Sequence, residues 1–188
     1  MESEIESIIN ESIKVSEGLK ALVPLIAKIS HEIVNAYKNK KKVVLFGNGG
    51  SAADAQHIAA EFVGKFYKNR DSLPALAFHT NTSVVTATAN DFGYDKVFER
   101  QVSSFVENGD IVIGISTSGN SVNVVKGLTK AKELGAITIG FTGQKENKIE
   151  KIADYCLKTP STDTPRIQEG HITVGHIICY LVENALFG

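Results

Sequence analysis

The strongest constraint in this 188-residue chain is an alternation of short apolar runs with helix-like stretches. Val43-Val44-Leu45-Phe46 is the first run, and it carries no polar side chain, as expected of a strand covered on both faces. Runs at 75–78, 111–115 and 136–141 repeat the pattern, with a weaker fifth at 155–157. Between and after them, helical patterns cover 52–66, most of the region up to Val106, 122–134 and 164–186, and Gly135 stops the third. Strand–helix alternation implies parallel strands joined by crossover helices. The expected fold class is therefore α/β: a doubly wound, mostly five-stranded parallel sheet flanked by helices. Two N-terminal helices, over about residues 1–40, precede it. Ile5, Ile8, Ile9, Ile13 and Leu19 recur at helical spacing, and Pro24 suits the first turn of the second helix. The length fits a single domain spanning 1–188.

Composition removes several classes of function. Twenty basic and 21 acidic residues give a net charge of −1, so no cationic surface excess is available for a nucleic-acid backbone. No apolar run reaches the roughly 18 residues a membrane helix needs. The acidic, amphipathic start MESEIESIIN is not a signal peptide, and the expected location is the cytoplasm. Cys156 and Cys179 sit in apolar segments and read as small buried hydrophobes.

In parallel α/β sheets ligands bind beyond the carboxyl ends of the strands. The loop after the first run is Gly47-Asn48-Gly49-Gly50-Ser51. Its glycines allow close approach of backbone to a ligand, and Ser51 is expected to cap the following helix. The loop after the third run is Ser116-Thr117-Ser118-Gly119-Asn120-Ser121. Four hydroxyls at a helix N-terminus can enclose a phosphate without a cation. Neither loop has the spacing of a dinucleotide fingerprint or of a nucleoside-triphosphate loop.

Titratable groups gather in two other places. His57 and Glu61, four apart, share one helix face and could ligate a divalent metal or act as an acid–base couple. Gln168, His171 and His176 lie on the last helix. Gln168 and His176 are about 12 Å apart in rise and about 80° apart around the axis. Both reach one ion only if their side chains lean together, if the helix bends near Gly170, or if a neighbouring subunit supplies a ligand. His31 and His79 read as structural or exposed. Asn90-Asp91-Phe92-Gly93-Tyr94 is a third polar turn.

These residues lie in four motifs: GNGGSAADAQHIAAEF, ANDFGYDKVF, GISTSGNSVNV and RIQEGHITVGHII. In this combination and order the chain resembles the sugar isomerase (SIS) domain family, and within it the bacterial phosphoheptose isomerases. The resemblance spans nearly the whole chain and implies a flavodoxin-like sheet and a cytoplasmic homotetramer with active sites at subunit interfaces, the N-terminal helices packing in that assembly. It implies an aldose–ketose isomerase acting on sedoheptulose 7-phosphate, the first step of ADP-heptose synthesis for lipopolysaccharide core or capsule. Asn48, Gly49, Gly50, Ser51, Asn90 and Asp91 would meet the sugar, and Ser116, Thr117, Ser118 and Ser121 the phosphate. His57, Glu61, Gln168 and His176 would hold one zinc ion per subunit, with Glu61 and Gln168 also facing substrate and Glu61 and His176 catalytic. Gly170 and Gly175 depart from the larger apolar residues expected there and are expected to loosen the last helix. A non-catalytic adaptor of the kind that associates with a replication initiator, a sugar-phosphate-sensing regulator, and an isomerase of another phosphosugar are the competing readings. Retention of both Glu61 and His176 argues against the adaptor.

Overall fold

The computed structural model describes residues 1–188. Five strands form one parallel sheet: β1 (Val43–Gly47), β2 (Ala75–Ala77), β3 (Ile111–Ile115), β4 (Ile137–Gly143) and β5 (Tyr155–Thr159), in the order β2-β1-β3-β4-β5. This is the doubly wound arrangement expected from the sequence. The chain leaves β1 toward one sheet edge and returns past it to β3, so the switch point lies between β1 and β3.

Side-chain alternation divides the core. Val43 and Leu45 face one side, with Ile111 and Ile113, under α2 (Val23–Lys38), α3 (Gly50–Val63) and α8 (Thr164–Phe187). Val44, Phe46 and Val112 face the other, under α5 (Val97–Phe105), α6 (Val122–Glu133) and the short α7 (Lys148–Ile152). α7 had no signal in the apolar periodicity; its start is set by Asn147, whose side chain accepts the Glu150 N–H. α4 (Thr82–Phe92) ends at Gly93, which holds φ +89°, so Asn90 and Asp91 are its last turn.

α1 (Glu2–Gly18) runs into a 3₁₀ turn at Leu19–Leu22, and Pro24 stands at the start of α2 as expected. α1 packs on α8 but leaves Ile5, Ile8, Ile9 and Ile13 exposed. No helix is long and apolar enough to cross a membrane, and both cysteines are free.

The two unexpected glycines do not loosen α8, which is continuous from Thr164 to Phe187. They let it approach its neighbours. A Cβ at position 170 would stand 2.5 Å from Thr159 Cγ2 on β5, and one at 175 would stand 2.6 Å from Ile58 Cδ1 on α3. Close backbone approach, rather than flexibility, explains both residues.

Candidate active site

The loops after β1 and β3 lie side by side at the switch point, because those strands are neighbours in register from Val43–Ile111 to Gly47–Ile115. The first loop turns through Gly49, which adopts φ +57°, a conformation costly to any residue with a Cβ. Gly49 is also the N-cap of α3, and its carbonyl accepts the Ala52 and Ala53 N–H groups. The expectation that Ser51 caps this helix is therefore corrected. The turn closes two residues earlier, so Ser51 is inside the first helical turn and buried.

Asn48 is held rather than free. It donates Nδ2–H to Asn123 Oδ1 and accepts the Asn123 Nδ2–H, both at 2.9 Å, and Tyr94 Oη donates to its Oδ1 at 3.1 Å. Sequence reading missed Asn123 and Tyr94. Asn123 carried one signal, a polar residue on the inner face of α6 directly after the hydroxyl loop. The amide pair ties the β1 loop to the head of α6, and Tyr94 brings the turn after Asn90 and Asp91 to the same place. Asn90 and Asp91 are themselves exposed, and Asn90 Nδ2–H donates to Asp91 Oδ1 at 2.8 Å.

In the second loop Ser116 Oγ lies 3.0 Å from Ser121 Oγ and 3.4 Å from Ser118 Oγ. Ser121 is the N-cap of α6 yet makes no side-chain capping bond, its hydroxyl pairing with that of Ser116 instead. Of the first N–H groups of α6, which a helix cannot bond internally, that of Val124 is taken by Asn123 Oδ1 at 3.0 Å, leaving those of Val122 and Asn123. Thr117 and Ser118 also line a cleft of about 230 Å³ with Lys145 after β4 and Ser161, Thr162 and Thr164 after β5. The β5 loop was legible by the rule that drew attention to the other two, since it also follows a strand end.

α3 and α8 run side by side in the same direction. Gln168 lies against Gly50, Gly175 against Ile58, and His176 against His57. His57 Nε2 is 3.2 Å from Glu61 Oε1 and 3.3 Å from His176 Nε2. The three groups can each present one ligand atom within 4.8 Å of the others, and all are at least partly accessible. His57 Nε2 can share a proton between Glu61 and His176, or all three groups can turn a lone pair toward one cation. Two imidazoles and one carboxylate this close together are a donor set that fits a divalent metal ion.

Both residues of the pair and their partner on α8 thus meet within one chain, without a helix bend. Gln168 stands ahead of them, at the head of α3. His171 does not join: it is fully buried, its Nε2 lies 3.1 Å from the Thr142 carbonyl, and burial pushes it down to about 4. His31 is exposed, and His79 is half-buried with its ionisation pushed down by burial.

A family model described as "SIS domain" matches residues 10–143. The chain belongs to the SIS-domain family. A curated phosphoheptose isomerase of Aneurinibacillus thermoaerophilus is 51% identical over 190 residues, covering 100% of this chain and 96% of that protein. One from Aquifex aeolicus is 52% identical over 184 residues, covering 97% and 96%. The solved phosphoheptose isomerase of Neisseria gonorrhoeae superposes with a TM-score of 0.92 at 37% identity, over 97% of this chain and 98% of that one. Within the SIS-domain family, then, likeness to phosphoheptose isomerases extends over the whole chain, including α8 beyond the matched domain.

Proposed function

We propose that this SIS-domain protein is an aldose–ketose isomerase that interconverts sedoheptulose 7-phosphate and D-glycero-D-manno-heptose 7-phosphate. The observation that carries the reading is the convergence of Glu61 and His176, from helices far apart in sequence, on one accessible cluster with His57. Full-length similarity to phosphoheptose isomerases supports it. The product would feed ADP-heptose synthesis for lipopolysaccharide core or capsule.

In the proposed reaction Ser116, Thr117, Ser118 and Ser121, with the first N–H groups of α6, hold the phosphate and fix the sugar's distal end. Asn48, Gly49, Gly50 and Ser51 line the sugar at the head of α3, and Asn90 and Asp91 reach it from the end of α4. Glu61 removes the proton from C1 of the ketose and returns it to C2, while His176 protonates the C2 oxygen and takes back the proton that leaves the C1 hydroxyl. The intermediate is the enediol, and atoms balance because both transfers are internal to the sugar.

His57, Glu61 and His176 would hold one zinc ion per subunit, and such an ion would polarise the sugar oxygens. The resemblance implies Gln168 as a fourth ligand. Because its amide stands against Gly50, we assign its first role to the sugar. A homotetramer with interfacial active sites is supported by the exposed Ile5, Ile8, Ile9 and Ile13 stripe, which has no partner within the chain. A cytoplasmic location accords with this chemistry.

The test is turnover of sedoheptulose 7-phosphate by purified protein, with and without chelator, in the parent and in Glu61→Gln. Glu61→Gln is expected to bind the sugar phosphate but to lose turnover. Parent-like turnover in that variant removes Glu61 from the mechanism. Absence of any conversion by zinc-loaded parent, together with capture of a protein partner, returns the adaptor.

A further inference from the structure

Seven residues beyond His176, two turns along the same face of α8, stands Glu183. Its side chain is 2% exposed, as is that of Arg70, to which it is bonded at 2.9 Å from Nε. Neither side chain reaches the ligand atoms of the three-residue cluster, and neither residue belongs to the four motifs. Burying such a pair is costly unless every donor and acceptor is used, and here nearly all are. Glu183 accepts the backbone N–H groups of Phe66, Tyr67 and Lys68 at 3.0, 2.8 and 2.9 Å. Arg70 donates Nη2–H to the carbonyl of Glu61 at 2.8 Å and Nη1–H to those of Phe62 and Asp71 at 2.8 and 2.9 Å.

The geometry has a direct consequence for the cluster. The last carbonyls of a helix have no internal partner. At α3 those of Glu61 and Phe62 are taken by Arg70, which is held in turn by a carboxylate on α8. The end of α3 is thereby fastened to α8 along the helix axis, close to the residue that presents the carboxylate. Gly175 against Ile58 sets how near the two helices come, but an apolar contact resists sliding weakly. Burial pushes the Glu183 pKa up, but its hydrogen bonds from the loop and from Arg70 outweigh that and hold it at about 2, so it stays charged.

We propose that Arg70 and Glu183 are positioning residues that fix the axial register of α3 against α8, and so the separation of His57 and Glu61 from His176. The inference rests on the isomerase reading for its catalytic consequence. A slip of about 1 Å between reacting groups can cost on the order of 100-fold in rate, and groups that orient metal ligands typically matter 10–100-fold in affinity.

The experiment compares the full-length parent with Glu183→Gln and Arg70→Lys. Zinc affinity is read by competition with a chromophoric chelator, kcat and KM with sedoheptulose 7-phosphate, imidazole proton NMR signals of His57 and His176, and unfolding by urea. Both variants are expected to shift those two imidazole signals and to lose about 10-fold or more in zinc affinity and kcat, with KM within about 3-fold of the parent. Arg70→Lys keeps the charge but not the fork to the Glu61 and Phe62 carbonyls, so charge retention alone should not rescue. Should Glu183→Gln fail to fold, Arg70→Lys decides by itself. A variant with a lower urea midpoint but parent-like zinc affinity, kcat and imidazole signals overturns the proposal, leaving the pair merely structural. Failure of the isomerase reading would appear in the parent; the imidazole signals then still decide the register claim.

Discussion

Replacing Gly170 by Ala sets two effects of opposite sign against each other. Ala is favoured over Gly in a helix interior by about 0.8–1.0 kcal/mol, so propensity alone predicts a more stable protein. The structure predicts the reverse. The new Cβ would lie 2.5 Å from Thr159 Cγ2 and 3.0 Å from its Oγ1, well inside the roughly 3.5–4.0 Å of favourable carbon contact. Thr159 is β-branched, sits on β5 and is fully buried, so it has little freedom to turn away. Overpacking of this kind costs about 1–3 kcal/mol, and the rigidity of Thr159 places it in the upper part of that range. The net expectation is a loss of about 1–2 kcal/mol, or roughly 2–8 °C in Tm for a chain of this length. Thermal and urea unfolding at fixed protein concentration measure it. Thr159→Ala supplies the control, because it removes both crowding atoms and its Oγ1 has no hydrogen-bond partner to strand. In that background Gly170→Ala should be neutral or stabilising, giving a coupling of about 2 kcal/mol in a double-mutant cycle. A rise in Tm on Gly170→Ala alone, or no coupling, would refute the close-approach explanation of this glycine.

Other expectations are as direct. Gly50→Ala would overlap the Gln168 amide, a flexible side-chain end, so stability should hold within about 0.5 kcal/mol. Turnover should fall about 10-fold or more; unchanged kcat and KM would take Gln168 out of the site. Ser121→Ala removes a hydroxyl that no cap consumes, and loss of one hydrogen bond to a charged phosphate, about 1.5–3 kcal/mol, should raise KM about 10- to 150-fold without altering the fold. A parent-like KM would move the phosphate elsewhere. His171 provides a pH dependence. Its folded value of about 4 lies below the ordinary 6.5, so between these the unfolded chain binds the extra proton. Its contribution is complete above about pH 6.5 and is lost on acidification toward pH 4, up to about 3 kcal/mol at 1.36 kcal/mol per unit. Urea unfolding against pH should show that slope in the parent and a flatter one in His171→Phe; equal slopes would assign the acid lability to other groups.

Much of the fold was legible because its signals are local. An unbroken apolar run needs only its own residues to declare a strand buried on both faces, and 43–46, 111–115 and the run over β4 emerged within a few residues of the observed bounds. The hydroxyl loop and the His57–Glu61 spacing were visible for the same reason, since strand ends and i, i+4 pairs are defined within one segment. α7 escaped because five residues carry too little period, and the Ser51 cap was misplaced because Gly49 can close the turn earlier through positive φ. Gly170 and Gly175 looked like weak points when only their own helix was considered.

Tertiary packing decided what the local patterns could not. Nothing in the spacing of Gln168 and His176 says which one meets His57, or whether a second subunit must intervene. That outcome depends on α8 lying parallel to α3 on one face of the sheet, and hence on strand order. Asn48 with Asn123, and Arg70 with Glu183, are pairs separated by 75 and 113 residues. A single side chain carries no record of such a partner, because the partner is chosen by the free energy of packing the whole sheet and its helices. The sequence by itself determined which segments are strands and helices and which chemistry they can carry. The relative placement of those segments, down to the register of one helix against another, belonged to the packed structure.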